Sequence, residues 1–376
     1  MNVAYFSNQF ADLQGHGLAR YSRQLFAALR DLSCTINVTP VAAWSTLDKF
    51  DLAKLKHDSG LQLVSLGRRL TPLAWTFLNN PPIEYFLREP VDVVHAVALG
   101  YPIATRKPLV VTIHDIGPLT HPEFFGNTSP WIMRRSLRQV VKQADGIICV
   151  SQSTADELID YVGAFLEKRI HVVPEGVSPD FFVPTDPGCL DVIDDLPFAG
   201  TPFVMSTGKI SPRKNIQGLI KAMSSLSSAI PHHLVLVGGD GWEMDGVYKQ
   251  LDEAGIRERV HFPGYVTDEQ LRALYAAATV YVHPSLYEGF GLTILEAMAA
   301  NCPVVTSNTW SLPEVAGDAA ILVDPSDSDA LADAIKSICS NTKLANEFVG
   351  KGKVRAGLFQ WNECAEKVLD VYRTVV

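Results

Sequence analysis

Short apolar runs alternate with helical stretches along the whole chain. In the first half the runs read VAYFS, VDVVHAV, LVVTIHD, GIICVS and IHVVP, and after residue 200 they read PFVMSTG, HLVLVGG, VHFPGYV, TVYVHPS, CPVVTSN and AAILVDP. Apolar runs of about four to seven residues between turn formers are typical of strands buried on both faces of a parallel sheet. The alternation with helices indicates βαβ units and therefore an α/β protein with doubly wound sheets.

The runs form two series, and the segment between them differs in composition. Residues 184–202, PTDPGCLDVIDDLPFAGTP, are rich in Pro, Asp and Gly, as linkers are. We therefore predict two Rossmann-like domains facing a central cleft, at residues 1–185 and 201–360. Residues 361–376 predict a last amphipathic helix. In open α/β sheets ligands bind at the carboxyl ends of the strands, so the loops after the strands are where chemistry is expected.

The composition is that of a globular protein without a membrane span. Hydrophobic residues make up 47% of the 376 residues, yet no stretch approaches the roughly 18 to 20 uninterrupted apolar residues that cross a bilayer. The opening MNVAYFSNQF lacks the basic and apolar regions of a secretory signal. Scattered cysteines without a C-x-x-C pair suit reduced thiols. These features predict a cytoplasmic protein.

The net charge of −9 is unevenly distributed. Basic and acidic residues balance over residues 1–184, so the whole excess of acidic residues lies in residues 185–376. A general nucleic-acid binder is expected to be basic, so nucleic acid is not among the predicted partners. The neutral first half tolerates an anionic partner or a membrane surface better than the acidic second half.

Two glutamates, Glu288 and Glu296, flank a glycine-containing loop and the start of a helix in PSLYEGFGLTILEAMAANCP. The N-terminus of a helix offers N–H groups and a partial positive charge that suit phosphate. A carboxylate can accept hydrogen bonds from the vicinal diol of a hexose or a ribose. The spacing therefore predicts one glutamate near a sugar and the other near a ribose. The alternative is that Glu288 complements the helix dipole and Glu296 is a solvated helix residue.

A second loop, in STGKISPRKNIQGLI, carries three cations between a predicted strand and a helix. They are Lys209, Arg213 and Lys214. Three cations at a βα turn suit a diphosphate, and the alternative is a solvated basic loop. The combination of this loop with the glutamate pair, in strand order within one domain, favours a nucleotide-sugar site.

Taken together, these motifs resemble the retaining nucleotide-sugar glycosyltransferases of family 4, of the type that acts in bacterial polysaccharide biosynthesis. The resemblance covers nearly the whole chain. It rests on EGFGLTILE, GKISPRKN, LVGGDG, HFPGYVTDEQLRALYAAATVYVHPS and SLPEVAGDAAILVDPSD. It implies the two-domain GT-B fold, in which the helix at residues 361–376 crosses back to the first domain.

The resemblance also implies roles for residues of the second half. Glu288 is expected to contact donor-sugar hydroxyls at the reacting centre, Glu296 to hold the ribose and Lys214 to grip the diphosphate. Many members have Gly-Arg where this chain has Gly-Lys209, so either Lys209 or Arg213 carries the usual arginine role. Further expected contacts to the donor come from Phe290, Gly291, Leu292, Tyr265, Val266 and Gly239.

Two candidates lie in the first half. His114 ends the run LVVTIHD, and the resemblance implies that it binds the donor sugar rather than transferring a proton; a packed strand-end histidine is the alternative. Gly17, in QGHGLARYSRQL, is expected near the donor phosphates and the acceptor, with an ordinary turn as the alternative. Ser151 is expected to cap a helix.

The resulting prediction is a retaining, metal-independent hexosyltransferase without a cofactor. Its donor is a UDP-hexose such as UDP-glucose, with GDP-mannose as the alternative, and its acceptor is a saccharide or a lipid-linked saccharide. A hypothesis of another class is a non-catalytic nucleotide-sugar-binding module with the same fold.

The cationic stretch WIMRRSLRQVV at residues 131–141 and the aromatic stretch at residues 68–87 raise the hypothesis of peripheral membrane contact.

Overall fold

The chain folds into two compact units. The first contains Met1–Pro122, Asn127–Gly176 and Trp361–Val376, and the second contains Glu123–Gly126 and Val177–Gln360. The computed structural model describes residues 1–11, 17–32, 35–64, 66, 70–71, 73–100, 103–126, 130–184, 200–239 and 244–376. Most of the predicted linker at residues 184–202 lies outside these ranges.

The first unit is built on a parallel sheet that has seven strands among the described residues, in the order β3-β2-β1-β4-β5-β6-β7. The strands are β1 Asn2–Phe6, β2 Asn37–Ala42, β3 Gln62–Leu63, β4 Val93–Ala96, β5 Leu109–Ile113, β6 Gly146–Cys149 and β7 Ile170–Val172. The helices of this part of the chain are α1 Gly17–Asp31, α2 Lys49–Ser59, α3 Gly117–Thr120, α4 Pro130–Gln143 and α5 Gln152–Val162.

The central strands of this sheet are buried along their whole length, as continuous apolar runs require. Ser151 accepts a hydrogen bond from the backbone N–H of Thr154, so the predicted N-cap of α5 is confirmed. A last helix, Trp361–Val375, packs within the same unit. Its Tyr372 hydroxyl lies 2.7 Å from Nδ1 of the fully buried His95.

The second unit has its own parallel sheet, with six strands among the described residues in the order β10-β9-β8-β11-β12-β13. The strands are β8 Phe203–Thr207, β9 His233–Val237, β10 Val260–Gly264, β11 Val280–His283, β12 Val304–Ser307 and β13 Ile321–Val323. The helices are α6 Ile216–Ser225, α7 Met244–Glu253, α8 Asp268–Ala277, α9 Leu292–Ala299, α10 Ser311–Ala316, α11 Ser328–Ser340 and α12 Thr342–Gly357. The last helix of the chain, Trp361–Val375, is α13.

The strand order of the second sheet reverses between β8 and β11. From β8 the chain moves outward through β9 and β10, and from β11 it moves outward on the other side through β12 and β13. Connections that leave a parallel sheet in opposite directions open a crevice at the carboxyl ends of the two strands. The loops that follow β8 and β11 are therefore at the position where this fold class binds ligands.

The predicted fold class, an α/β protein with two doubly wound Rossmann-like units, is confirmed. Within the described part of the chain, no helix combines the length and the apolar character needed to cross a membrane.

Candidate functional site

The loop after β8 depends on a glycine. Gly208 has φ 124°, and a Cβ atom at this position would lie 2.9 Å from Cε of Lys214. A side chain here would therefore displace the lysine that lies across the turn. A short 3-10 turn, Pro212–Lys214, carries Arg213 and Lys214, and Asn215 then caps α6 by accepting from the N–H of Gly218.

The loop after β11 is fixed by a buried serine. The Ser311 hydroxyl lies 2.9 Å from the carbonyl oxygen of Glu288 and 2.8 Å from that of Phe290, so its proton is shared between them. Gly291, at φ 106°, caps α9, and a Cβ atom there would lie 2.7 Å from a methyl carbon of Leu312. These contacts set the backbone of the EGFG turn and so the direction of the Glu288 side chain.

The two loops meet at the carboxylate of Glu288. Arg213 Nη1 lies 2.5 Å from Oε2, and Lys214 Nζ lies 2.8 Å from Oε1. Oε1 also accepts from Ser285 Oγ at 3.0 Å and contacts His283 Nε2 at 3.1 Å. The Glu288 side chain is only 11% exposed. One carboxylate thus organises two cations and two neutral groups at the reversal of strand order.

The charges of this cluster follow from burial and from the neighbouring ions. Burial raises the pKa of the Glu288 carboxyl, but Arg213 and Lys214 together outweigh it, and the pKa lies well below its usual range. Burial lowers the pKa of Lys214, and Arg213 adds to that, against the opposing effect of Glu288. Burial and Lys214 lower the pKa of His283 to about 4. At neutral pH Glu288 is therefore ionised and His283 is neutral.

The second glutamate of the motif lies in the second turn of α9. Glu296 is 1% exposed, and its Oε2 accepts from the Tyr275 hydroxyl at 3.4 Å. That hydroxyl also lies 3.5 Å from Thr207 Oγ1 at the end of β8. Glu296 is thus a buried carboxylate beneath the same edge of the sheet, not a solvated helix residue.

The other candidates of the second half lie in loops along the carboxyl edge of the same sheet. Lys209 follows β8 and is exposed, Gly239 follows β9 and is exposed, and Tyr265 follows β10 and is 65% exposed. Val266 and Leu292 are half-buried, and Phe290 is buried. Among the residues that the structure describes, Arg213 rather than Lys209 forms the ion pair with Glu288.

In the first unit His114 follows β5, as predicted, and both of its ring nitrogens are engaged. Nδ1 lies 3.0 Å from Glu175 Oε1, and Nε2 lies 3.1 Å from the carbonyl oxygen of Val97. The ring meets that of Tyr21 edge to face at 4.5 Å. Glu175, to which the sequence assigned no role, is therefore the partner of His114. Gly17 is the exposed first residue of α1.

Sequence reasoning missed three residues that hold Glu288 in place: His283, Ser285 and Ser311. The signal for His283 was present, since it ends a buried strand in TVYVHPS as His114 does in LVVTIHD. Ser285 and Ser311 gave no such signal, because a serine in a loop or at a helix start is common for many reasons. Gly15 and Asp240, beside two of the predicted glycines, lie outside the described residues.

The cluster places positive charge where it can stabilise an anion. Arg213 and Lys214 converge on one point beside the N-terminus of α9, and preorganised charge of this kind stabilises negative charge that develops in a reaction. Across the described ranges, no group of three or more His, Cys, Asp or Glu side chains is arranged to hold a metal ion.

Comparison with known proteins identifies the family. The sequence model of "Glycosyl transferases group 1" matches residues 194–355, and that of "Glycosyltransferase Family 4" matches residues 15–181. The O-antigen chain mannosyltransferase B of Escherichia coli is 33% identical over 366 residues, which cover 95% of this chain and 96% of that protein. The chain belongs to the family 4 glycosyltransferases. A second relative of this glycosyltransferase, the MMP alpha-(1->4)-mannosyltransferase of Mycolicibacterium hassiacum, is 30% identical over 406 residues, covering all of this chain and 94% of that protein.

Solved structures agree on the architecture of this glycosyltransferase. Sucrose-phosphate synthase from Thermosynechococcus elongatus superposes with a TM-score of 0.78 at 22% identity, over 100% of this chain and 98% of that one. An Anabaena protein crystallised with UDP and glucose superposes with a TM-score of 0.76 at 20% identity, over the whole of both chains. At these identities the likeness supports the predicted GT-B fold and nothing finer.

Proposed function

We propose that this glycosyltransferase transfers a hexosyl unit, with retention, from a nucleoside diphosphate sugar to a saccharide or a lipid-linked saccharide in polysaccharide synthesis. The observation that carries the proposal is the convergence of Arg213 and Lys214 on Glu288 where the strand order reverses. Cations for a diphosphate and a carboxylate for sugar hydroxyls are then neighbours, as transfer from such a donor requires.

The proposed chemistry is electrostatic. When the bond between the anomeric carbon and the diphosphate breaks, negative charge develops on the leaving oxygens. Arg213, Lys214 and the backbone N–H groups at the start of α9 would stabilise that charge, with Lys209 as an exposed third cation. This set supplies the positive charge that a divalent cation supplies elsewhere, and metal independence is part of the proposal.

Glu288 is assigned to binding and not to attack. Its carboxylate is paired with two cations and accepts from Ser285, and its pKa lies well below the usual range. A carboxylate stabilised in this way is a weak nucleophile. We therefore favour departure and attack on the same face of the sugar, with a phosphate oxygen as base, over a covalent glycosyl-enzyme intermediate.

The proposed donor sugar is mannose, with GDP-mannose as the donor. The support is that two relatives aligned over nearly their whole length, at 33% and 30% identity, are named mannosyltransferases. UDP-glucose, preferred on the sequence alone, is the second candidate, because a structural neighbour was crystallised with UDP and glucose. The residues at the cation loop fit the diphosphate of both donors and do not discriminate between the bases.

A ligand panel tests the donor and the enzyme class together. Purified protein is heated with GDP-mannose, UDP-glucose, GDP or UDP, since a ligand that binds the folded state raises Tm by mass action. We expect GDP-mannose to raise Tm most and to release GDP when a mannose-containing oligosaccharide is added. Binding without release of nucleoside diphosphate, across donors and acceptors, would favour the non-catalytic module. Absence of any Tm shift would overturn the donor site itself.

We further propose peripheral contact of the first unit with anionic membranes. On α4 and the neighbouring segment Ala74–Leu78, large apolar side chains are exposed: Trp131 56%, Ile132 49%, Phe77 58% and Leu78 73%. Arg135 lies over the rings of Phe77, at 4.6 Å, and Trp131, at 6.0 Å. Exposed apolar groups interleaved with cations are typical of surfaces that lie on a bilayer, where a lipid-linked acceptor would be presented.

A further inference from the structure

A buried chain of hydrogen-bonding groups begins at Glu288 and runs back into the sheet. Its first link joins Glu288 Oε1 to His283 Nε2 at 3.1 Å, and its second joins His283 Nδ1 to the Tyr281 hydroxyl at 3.1 Å. Its third joins that hydroxyl to Thr207 Oγ1 at 2.7 Å. The chain thus connects the carboxyl end of β11 with the carboxyl end of β8.

The direction of every proton in this chain follows from its first acceptor. An ionised carboxylate can only accept, and the Ser285 hydroxyl, 3.1 Å from Nε2, gives its proton to the same carboxylate oxygen, so His283 must carry its hydrogen on Nε2. In a neutral ring Nδ1 is then an acceptor, and the Tyr281 hydroxyl, at 3.1 Å against 3.5 Å for the Thr293 hydroxyl, is its nearer donor. Because the single proton of Tyr281 is used there, its oxygen accepts from Thr207. Each group therefore donates toward Glu288.

These hydrogen-bonded side chains are buried, so a change in their pattern of donors and acceptors is costly. Tyr281 is 0% exposed, His283 is 1% exposed and Thr207 is 9% exposed. Burial lowers the pKa of His283 to about 4, so the ring stays neutral at physiological pH. Inside a protein a buried polar group that loses its partner is costly, and a fully satisfied network keeps one arrangement.

We propose that His283 is a positioning residue for Glu288, and that Tyr281 and Thr207 support the tautomer in which His283 donates to the carboxylate. The proposal rests on the proposed donor site, because it explains how Glu288 keeps its orientation in the presence of a donor. An incoming diphosphate competes with Glu288 for Arg213 and Lys214. It cannot compete for His283, which is neutral and covered.

The tautomer is measured directly by 15N NMR of the histidine rings in protein labelled at histidine, with the His283→Gln variant to assign the signal. We expect the wild-type ring at pH 7 to be neutral with its hydrogen on Nε2. In Tyr281→Phe, which removes the hydroxyl but keeps the ring, we expect the hydrogen to stay mainly on Nε2, where Glu288 accepts it, and the Nδ1 signal to shift because Nδ1 loses its donor. A wild-type ring that is doubly protonated at pH 7, or that carries its hydrogen on Nδ1, would overturn the proposal.

Kinetics then separate positioning from general packing. Gln at position 283 keeps an N–H donor and Leu does not, so the pair is compared for release of GDP from GDP-mannose, and of UDP from UDP-glucose. We expect His283→Leu to lose about tenfold or more in kcat and His283→Gln to restore part of it, since one hydrogen bond to a charged group is at stake. Binding of GDP and UDP should stay within about twofold in both variants.

Kinetics and binding can also contradict the proposal. Equal losses of kcat in His283→Leu and His283→Gln, with equal weakening of nucleotide binding, would show a merely structural residue and overturn the proposal. Tyr248→Phe, which removes a phenol hydroxyl elsewhere in the second unit, is the matched control for Tyr281→Phe and should leave the 15N signals of His283 unchanged. Should wild-type protein bind neither nucleotide, the proposed function fails, while the NMR result still decides the tautomer.

Discussion

Lys214 Nζ lies 2.8 Å from Glu288 Oε1, although 74 residues separate the two in the chain. The contact joins the loop after β8 to the loop after β11, and these strands are neighbours only because the sheet reverses its order between them. A donor diphosphate bound here would meet both loops at once. The contact therefore ties the proposed chemistry to the topology of the sheet.

Substitution of Glu288 by Gln should separate binding from turnover. In the ligand-free protein Glu288 neutralises part of the charge of Arg213 and Lys214, so Glu288→Gln removes the negative charge that competes with a diphosphate for these two cations. We expect GDP and UDP to bind about threefold to tenfold more tightly, a gain of roughly 1 kcal/mol. Turnover should fall by about a hundredfold or more, because sugar contacts at the reacting centre are lost. Calorimetric titration and a release assay measure the two effects.

Glu253→Gln is the matched control, because Glu253 lies on α7, is 67% exposed and pairs at the surface with Lys249. It should change neither quantity. Weaker nucleotide binding in Glu288→Gln would contradict the assignment of Arg213 and Lys214 to the diphosphate.

The cations of the β8 loop should differ in importance. Lys214→Ala and Arg213→Ala each remove a cation that converges on the cluster, and we expect each to weaken GDP binding by about tenfold or more, or ~1.4 kcal/mol. Lys209→Ala, at an exposed position, should cost less than about threefold. Calorimetry on the three variants decides which residue carries the arginine role. A Lys209→Ala loss larger than that of Arg213→Ala would reverse the assignment.

The pattern of the sequence predicts the fold because each buried strand is a continuous apolar run and each crossover a helix. It predicts Glu288 and Lys214 as a pair because both follow strands of one parallel sheet. It could not reveal that His283 and Tyr281 form a chain with Thr207, since those contacts depend on side-chain directions across two strands. The same limit applies to Glu175, whose partner His114 stands 61 residues earlier.

The grouping of residues 123–126 shows a further limit. This short segment is in the first half of the sequence, yet it belongs to the second unit, where the Phe125 ring lies 5.8 Å from that of Tyr287. The Arg213 guanidinium lies over the Phe125 ring, 5.9 Å from its centroid. A residue such as Phe125, which packs in a unit formed mainly by the other half of the sequence, cannot be recognised from the hydrophobic periodicity.

Glu296 is expected to bind the ribose of the nucleotide. If its carboxylate accepts from the vicinal hydroxyls, wild-type protein should prefer GDP to 2′-deoxy-GDP by about tenfold, the cost of one hydrogen bond to a charged group. Glu296→Gln should bind GDP more weakly and reduce that preference to about twofold. Competition binding with the two nucleotides measures it. An undiminished preference in Glu296→Gln would place the ribose elsewhere, and Tyr275→Phe serves as the control for disturbance of the buried Glu296 contact.

Stability should fall as the pH is lowered from 7 to 5. Burial lowers the pKa of His95 to about 3 and that of His283 to about 4, from 6.5 in the unfolded chain. Below pH 6.5 the unfolded chain binds protons that the folded protein does not, so each histidine costs roughly 2 kcal/mol of unfolding free energy at pH 5. Glu288, whose pKa is lowered, affects the unfolding free energy only at lower pH, below the pKa of a glutamate in the unfolded chain.

Urea denaturation at the two pH values measures this loss. His95→Gln should reduce the pH dependence, whereas His57→Gln, at a position whose side chain is 89% exposed, should leave it unchanged. A stability that is equal at pH 7 and pH 5 would contradict neutral buried histidines.

Membrane contact is tested by flotation. We expect the protein to float with vesicles that contain phosphatidylglycerol and not with pure phosphatidylcholine, because the exposed Arg134 and Arg138 need an anionic surface. Trp131→Ser combined with Phe77→Ser should reduce flotation, whereas Phe165→Ser, 64% exposed elsewhere in the first unit, should not. The proposal would be wrong if the protein floated equally with both types of vesicle, or if it floated with neither.

The hydrogen bond between His95 and Tyr372 spans 277 residues, and it has a consequence for how the protein is made. The first unit leaves the ribosome first, but its buried histidine gains this partner only when the last turns of the chain have been synthesised. The second unit, which ends at Gln360, can complete its core before that. The half of the protein that is translated first thus cannot complete this buried contact until the helix that follows the second unit has been made.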